Sequence, residues 1–179
     1  MVVIKPDGVE KNLIDEIISR YEGAGLKVVA KKELTVDMEF AGRHYAATDS
    51  QVIGMGNKTI ESAEENGQLG TLQKRFGSMD PKKIGMRLLH WSKEFITSGK
   101  VVALLLEGED AVRTARKVTG FTDPSKADKG TIRGDLSDDS IAKANAEERS
   151  THNLVHASGD PEEAKREIEL WFGPEGLFE

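Results

Sequence analysis

The tightest constraint on this chain is the run Val-Val-Ala-Leu-Leu-Leu at residues 101–106, six apolar residues with no polar position among them. A run so short and unbroken reads as a strand buried on both faces, so the fold must cover its sheet from two sides. Val2, Val3 and Ile4 form a second apolar run, stopped by Pro6-Asp7-Gly8, which reads as a turn that lets backbone approach a ligand. Residues 26–34 and 153–157 are the other strand candidates.

Helical spacing separates these strands. Leu13, Ile14, Ile17, Ile18 and Tyr21 recur on one helix face, with Asn12 as the expected cap and Gly25 where a left-handed terminus belongs. Residues 37–47, 81–97 and 111–119 read as further helices, and Asp160-Pro161-Glu162-Glu163 is a helix start with Asp at the N-cap and Pro in the first position. Trp91, Trp171, Phe172 and Phe178 are assigned to packing. Four strands interleaved with helices predict an α/β sandwich around a single sheet.

Two segments lack clear periodicity. Between Thr48 and Pro81, Gly54, Gly56, Gly67, Gly70 and Gly77 predict loops and short helices, and the segment is expected to be peripheral to chemistry. Within it, Gly54-Met55-Gly56-Asn57-Lys58-Thr59 lacks the Gly-Lys-Thr adjacency of a phosphate-binding P-loop and reads as plain loop. Residues 120–149 are irregular apart from a helix expected within 139–148.

Composition narrows the function classes. A chain of 179 residues with 37% apolar and 31% charged residues supports one packed domain. A net charge of −6 argues against nucleic acid as a partner, because counterion release requires a basic face. Without cysteine there is no disulfide framework and no thiolate nucleophile. No apolar stretch is long enough for a bilayer and no signal segment is visible, so no membrane association and a cytoplasmic location are expected.

Three segments combine glycine with a cation or a small hydroxyl residue: Lys5-Pro6-Asp7-Gly8, residues 120–124, and Gly130-Thr131-Ile132-Arg133-Gly134-Asp135. Exposed backbone N–H groups beside fixed positive charge suit phosphate, although each segment alone also reads as a plain turn. His156 stands in Asn153-Leu154-Val155-His156-Ala157-Ser158. His152 lies four residues earlier, but a zinc pair at that spacing needs one helix face, and this context is strand-like.

Taken in order, Lys5-Pro6-Asp7-Gly8-Val9, Val101-Val102-Ala103 with Glu107-Gly108, Thr122-Asp123-Pro124, the segment from Gly130 to Asp135, and the segment around His156 resemble the nucleoside diphosphate kinase family, in its longer archaeal-type form. The resemblance spans a single domain, residues 1–179, apart from insertions at about 48–89 and 136–149. It implies a ferredoxin-like βαββαβ core with a four-stranded antiparallel sheet and helices packed on it. It also implies ping-pong transfer of the γ-phosphoryl group from nucleoside triphosphates to nucleoside diphosphates, ATP, GTP, ADP and GDP among them, in a homo-oligomer, hexamer or tetramer.

By the same resemblance His156 is the nucleophile that becomes phosphohistidine, Glu167 holds its ring and Ser158 assists. Lys5, Tyr45, Arg116, Thr122, Arg133 and Asn153 surround phosphates and ribose, while Mg²⁺ arrives on the phosphates with no direct protein ligand. Leu88 falls where the family usually has an aromatic residue against the base, and Gly159 where it has Asp. The alternative of another class, a non-catalytic nucleotide-binding or scaffold homologue, would keep these residues without turnover.

Overall fold

The computed structural model describes residues 1–173, so Phe178 lies outside the described residues. Strand β1 is Val2–Ile4, followed by helices α1 (Pro6–Glu10) and α2 (Ile14–Gly23), strand β2 (Lys27–Leu34) and helix α3 (Met38–His44). Helices α4 (Asp49–Glu65), α5 (Leu69–Phe76) and α6 (Pro81–Thr97) lead to β3 (Val101–Glu107) and α7 (Ala111–Thr119). After a 3₁₀ turn at Pro124–Lys126 come α8 (Ile132–Leu136), α9 (Ile141–Ala146), β4 (Val155–Ala157) and α10 (Pro161–Phe172).

The strands make one sheet of order β2-β3-β1-β4 with every pairing antiparallel, the βαββαβ connectivity of a ferredoxin-like core. All six apolar residues of β3 are buried, as an unbroken apolar strand requires. Alternation divides them: Val102, Leu104 and Leu106 join Val2 and Ile4 against Ile17, Tyr21 and Ala115, whereas Val101, Ala103 and Leu105 join Val3 against Ile96, Ala41, Trp171 and Phe172. Trp91 is also buried, as its assignment to packing expects. Among the described residues no helix is long and apolar enough to cross a membrane.

The structure departs from the sequence reading at four places. Pro6-Asp7-Gly8 is not a turn but the start of α1, with Pro6 in its first turn. A Cβ at Gly8 would press on the Ile4 side chain and the Leu154 carbonyl, so this glycine serves close packing rather than a ligand. Asn12 does not cap α2: it takes a left-handed φ of 56° and Leu13 holds the N-cap position without a side-chain bond. Residues 132–136, read as irregular, are helix α8, capped by Thr131 Oγ1, which accepts from the Gly134 N–H at 3.1 Å.

The largest departure is in the first insertion. Instead of loops it holds the 17-residue helix α4, started by a reciprocal capping box between Thr48 and Gln51. Two of its glycines are contact points: a Cβ at Gly56 would overlap the Pro81 carbonyl, and one at Gly85 would overlap the Val52 carbonyl, so α4 and α6 meet backbone to backbone. Ala63, Leu72 and Ile84 form a small separate core there, with Ile60, Phe76, Met79 and Leu88 around it.

Candidate active site

β4 enters the sheet through a strained residue. Leu154 has a φ of 68°, a conformation that costs a branched side chain free energy and persists only where its surroundings fix it. Here the Leu154 N–H donates to Asp7 Oδ2 at 3.0 Å, and its carbonyl accepts from the Lys5 N–H at 2.8 Å. Two residues on, His156 pairs with Val3 in the edge register of the sheet. The chain thereby carries the imidazole to the sheet edge, where α10 passes.

Glu167 of α10 is fully buried and its Oε1 lies 2.7 Å from His156 Nε2. Ser158 Oγ lies 2.7 Å from Glu167 Oε2 and 3.1 Å from the Met1 carbonyl; its single proton goes to the charged acceptor. Burial alone would raise the Glu167 pKa, but the bond from His156, the neighbouring imidazoles and Ser158 overcome it and hold the carboxyl at about 2. An ionised carboxylate only accepts, so His156 Nε2 carries the proton and Nδ1 keeps the free lone pair.

A second histidine, which the sequence reading did not single out, stands against the first. The His44 ring meets that of His156 edge-on, with centroids 4.5 Å apart. Burial above all, then the proximity of His156, lowers its pKa to about 3, so it is neutral. Its Nδ1 accepts from the Trp171 Nε1–H at 3.2 Å, which makes the 3.4 Å approach of Nδ1 to Glu167 Oε1 a contact rather than an ion pair. His44, His156 and Glu167 offer metal-ligand atoms within 4.8 Å of one another, but Glu167 already accepts from His156 and Ser158, and Nδ1 of His44 is taken.

A cavity of about 410 Å³ opens in front of His156, and Lys5, Tyr45, Arg116, Thr122, Arg133 and Asn153 all line it. The sequence-derived set is thus brought together, with Ser158 and Glu167 set behind the imidazole. Lys5 is buried, and desolvation lowers its pKa to about 8, against the pull of Asp7 and with a further push from Arg133. Its ammonium lies over the Phe95 ring at 5.5 Å, and Phe95 in turn stacks on His152, which gives that histidine a packing place.

Arg133 donates to three backbone carbonyls, those of Asn153 at 3.1 Å, Gly120 at 3.0 Å and Val155 at 2.6 Å. Five guanidinium N–H groups leave two for a ligand. Burial lowers its pKa to about 10, still fully charged near neutrality. Burial also pushes the Tyr45 hydroxyl well above its ordinary range. Asn153 Nδ2 donates to the Thr122 carbonyl at 2.8 Å, while its buried Oδ1 has no partner among the described residues.

Met55, Lys58 and Thr59 of α4 line the same cavity, together with Leu88 and Phe121. The first insertion is therefore a wall of the site and not peripheral to it. Periodicity gave no hint, because glycines at helix contacts resemble glycines in loops.

An imidazole with a free lone pair in a pocket of clustered cations defines a phosphotransferase class of site. The family profile for nucleoside diphosphate kinase matches residues 1–83 and 82–177. A nucleoside diphosphate kinase of Pyrobaculum aerophilum is 40% identical over 179 residues, 100% of this chain and 97% of that protein. One from Listeria monocytogenes is 37% identical over 177 residues, 99% of this chain and 90% of the relative. The solved NDP kinase from Pyrobaculum aerophilum superposes with a TM-score of 0.92, covering 99% of this chain and 97% of its own. A transition-state mimic of nucleoside-diphosphate kinase from Borrelia burgdorferi with bound vanadate and ADP gives 0.74 at 31% identity, covering 98% and 86%. The chain belongs to the nucleoside diphosphate kinase family.

Proposed function

We propose that this chain moves the γ-phosphoryl group of a nucleoside triphosphate to a nucleoside diphosphate in two half-reactions through His156. The observation that carries this reading is the 2.7 Å bond from His156 Nε2 to the buried, ionised Glu167, which leaves Nδ1 unprotonated at a cavity lined by cations. Nδ1 attacks the γ-phosphorus, the bond to the β,γ-bridging oxygen breaks, and the diphosphate leaves with that electron pair. A second diphosphate reverses these steps with its own terminal oxygen. Throughout, Glu167 keeps the Nε2 proton and offsets the positive charge that develops on the ring, and Ser158 fixes the carboxylate.

Lys5, Arg116 and Arg133 balance the charge spread over the transferring group, and Tyr45, Thr122 and Asn153 hold phosphate and ribose oxygens. Glu163 is the carboxylate among the cavity-lining residues, beside Lys5, Lys58, Arg116 and Arg133. That donor set does not cage a metal but would suit Mg²⁺ carried on phosphate oxygens, toward which Glu163 would supply the cavity's carboxylate. When bound, Mg²⁺ supplies further neutralisation of the phosphates. A homo-oligomer and a cytoplasmic location complete the reading, the first to be checked by light scattering.

The test is incubation with γ-labelled ATP and Mg²⁺ alone. The expected outcome is one label per chain, acid-labile and alkali-stable as a phosphorus–nitrogen bond requires, passed on to unlabelled GDP and absent from His156→Ala. A label that persists in that variant overturns the mechanism.

A further inference from the structure

The two ends of the cavity differ in kind. Lys5, Tyr45, Arg133 and Asn153 are held deep around His156. At the outer end stand Leu88, the half-exposed Phe121 and one face of α4, where Met55, Lys58 and Thr59 follow at helical spacing. A nucleotide with its terminal phosphate at the deep cations has its base, the opposite end of the molecule, at this outer wall. Phe121, Leu88 and Met55 offer apolar surface to the base faces, which are alike for every base. Discrimination then falls to the polar groups beside them.

Lys58 is exposed at the mouth, and among the described residues no carboxylate lies within ion-pair distance of it. An ammonium has three donors and no acceptor, so it bonds a keto oxygen of a base edge but has nothing to offer an exocyclic amino group. The wall is also held in place: the glycine contacts seat α4 on α6, and α9 packs on its other side. The backbone that carries Lys58 is thereby fixed, so only its side chain has to be ordered on binding.

We infer that the insertion helix α4 is the base-reading wall of the nucleotide site, and that Lys58 favours bases with a keto oxygen at purine position 6 or pyrimidine position 4, guanine and uracil, over adenine and cytosine, which carry an amino group there. The inference rests on the reading of the cavity as a nucleoside diphosphate site. It makes the insertion a specificity element.

Binding of GDP, ADP, UDP and CDP to the whole protein by titration calorimetry tests it, since comparison within purines and within pyrimidines cancels phosphate, ribose and most stacking. GDP over ADP and UDP over CDP are each expected at about tenfold, the scale of one partly solvated charge-assisted hydrogen bond. In Lys58→Met both ratios fall to within about twofold, and in Lys58→Arg their direction is retained. Ratios near one in the wild type, ratios unmoved by Lys58→Met, or equal weakening of all four ligands, the mark of a phosphate contact, each overturn the inference. Absent keto preference with normal His156 labelling removes this inference alone. Keto preference without labelling removes the phosphoryl-transfer reading alone, and no binding of any diphosphate removes both.

Discussion

Glu167 and His44 both bury a titratable group beside His156, and the site holds them in opposite states. Glu167 is ionised because it accepts two protein protons, whereas His44 is neutral because its Nδ1 accepts one and its burial outweighs the pull of the nearby Glu167 carboxylate. Replacing Glu167 by Gln keeps the shape but removes the charge that fixes the tautomer and steadies the imidazolium. Phosphorylation of His156, followed by quenched flow, is expected to slow about 10-fold or more while the midpoint of urea unfolding moves less. An unchanged rate would mean that the carboxylate charge is idle. Lys5 adds a pH limb: its free-protein pKa near 8 predicts that kcat/KM declines as pH rises through about 8, since only the ammonium neutralises phosphate. A profile flat to pH 9.5 would show that this ammonium is not required. His156 was legible because its sequence neighbours carry its context. His44 was not, since its hydrogen-bond donor, Trp171, lies 127 residues away.

Among the elements, α4 shows why glycine misled the sequence reading. Glycine weakens an isolated helix by about 1 kcal/mol relative to alanine, whether it sits at a contact or in solvent. The structure separates the two cases. A Cβ at Gly56 would overlap the Pro81 carbonyl, whereas one at Gly54 meets nothing within 4 Å. Gly54→Ala is therefore expected to stabilise the protein by up to about 1 kcal/mol, and Gly56→Ala to destabilise it by about 1–3 kcal/mol through forced separation of α4 from α6. Urea unfolding of both variants checks the opposite signs, and equal signs would refute the backbone contact. Some elements built on apolar runs and caps were readable from sequence, β3 from its six apolar residues and α10 from Asp160, whose Oδ1 accepts from the Glu163 N–H at 2.8 Å, whereas the caps of α4 at Thr48 and α8 at Thr131 were hidden among glycines. Elements built on distant backbone contacts were not readable.

At the scale of the whole molecule, the sheet is covered on both faces, and the buried ionisable groups Lys5, Asp7, His44 and Glu167 gather at the β1-β4 edge, while Asp123 and Asp139 are buried in the segments that follow α7 and α8. Part of the fold's response to acid originates at that edge. His44 has its pKa lowered from 6.5 to about 3, so unfolding takes up a proton below 6.5. Its stabilising share is complete above pH 6.5 and is lost as pH falls toward 3. Glu167, lowered from 4.5 to about 2, contributes fully above pH 4.5 and loses its share only below that. Between pH 6.5 and 4.5 the acid sensitivity of this pair is therefore that of His44 alone. One proton taken up on unfolding gives a slope of about 1.4 kcal/mol per pH unit, or about 2 kcal/mol between pH 6.5 and 5. Urea unfolding at pH 7, 6 and 5 is expected to show that loss in the wild type and a slope shallower by that amount in His44→Gln, whose amide does not titrate. The remaining carboxylates are common to both proteins and cancel in the comparison. Parallel slopes would mean that His44 is charged or solvated in the folded state, and with that the neutral imidazole behind His156 would have to be given up.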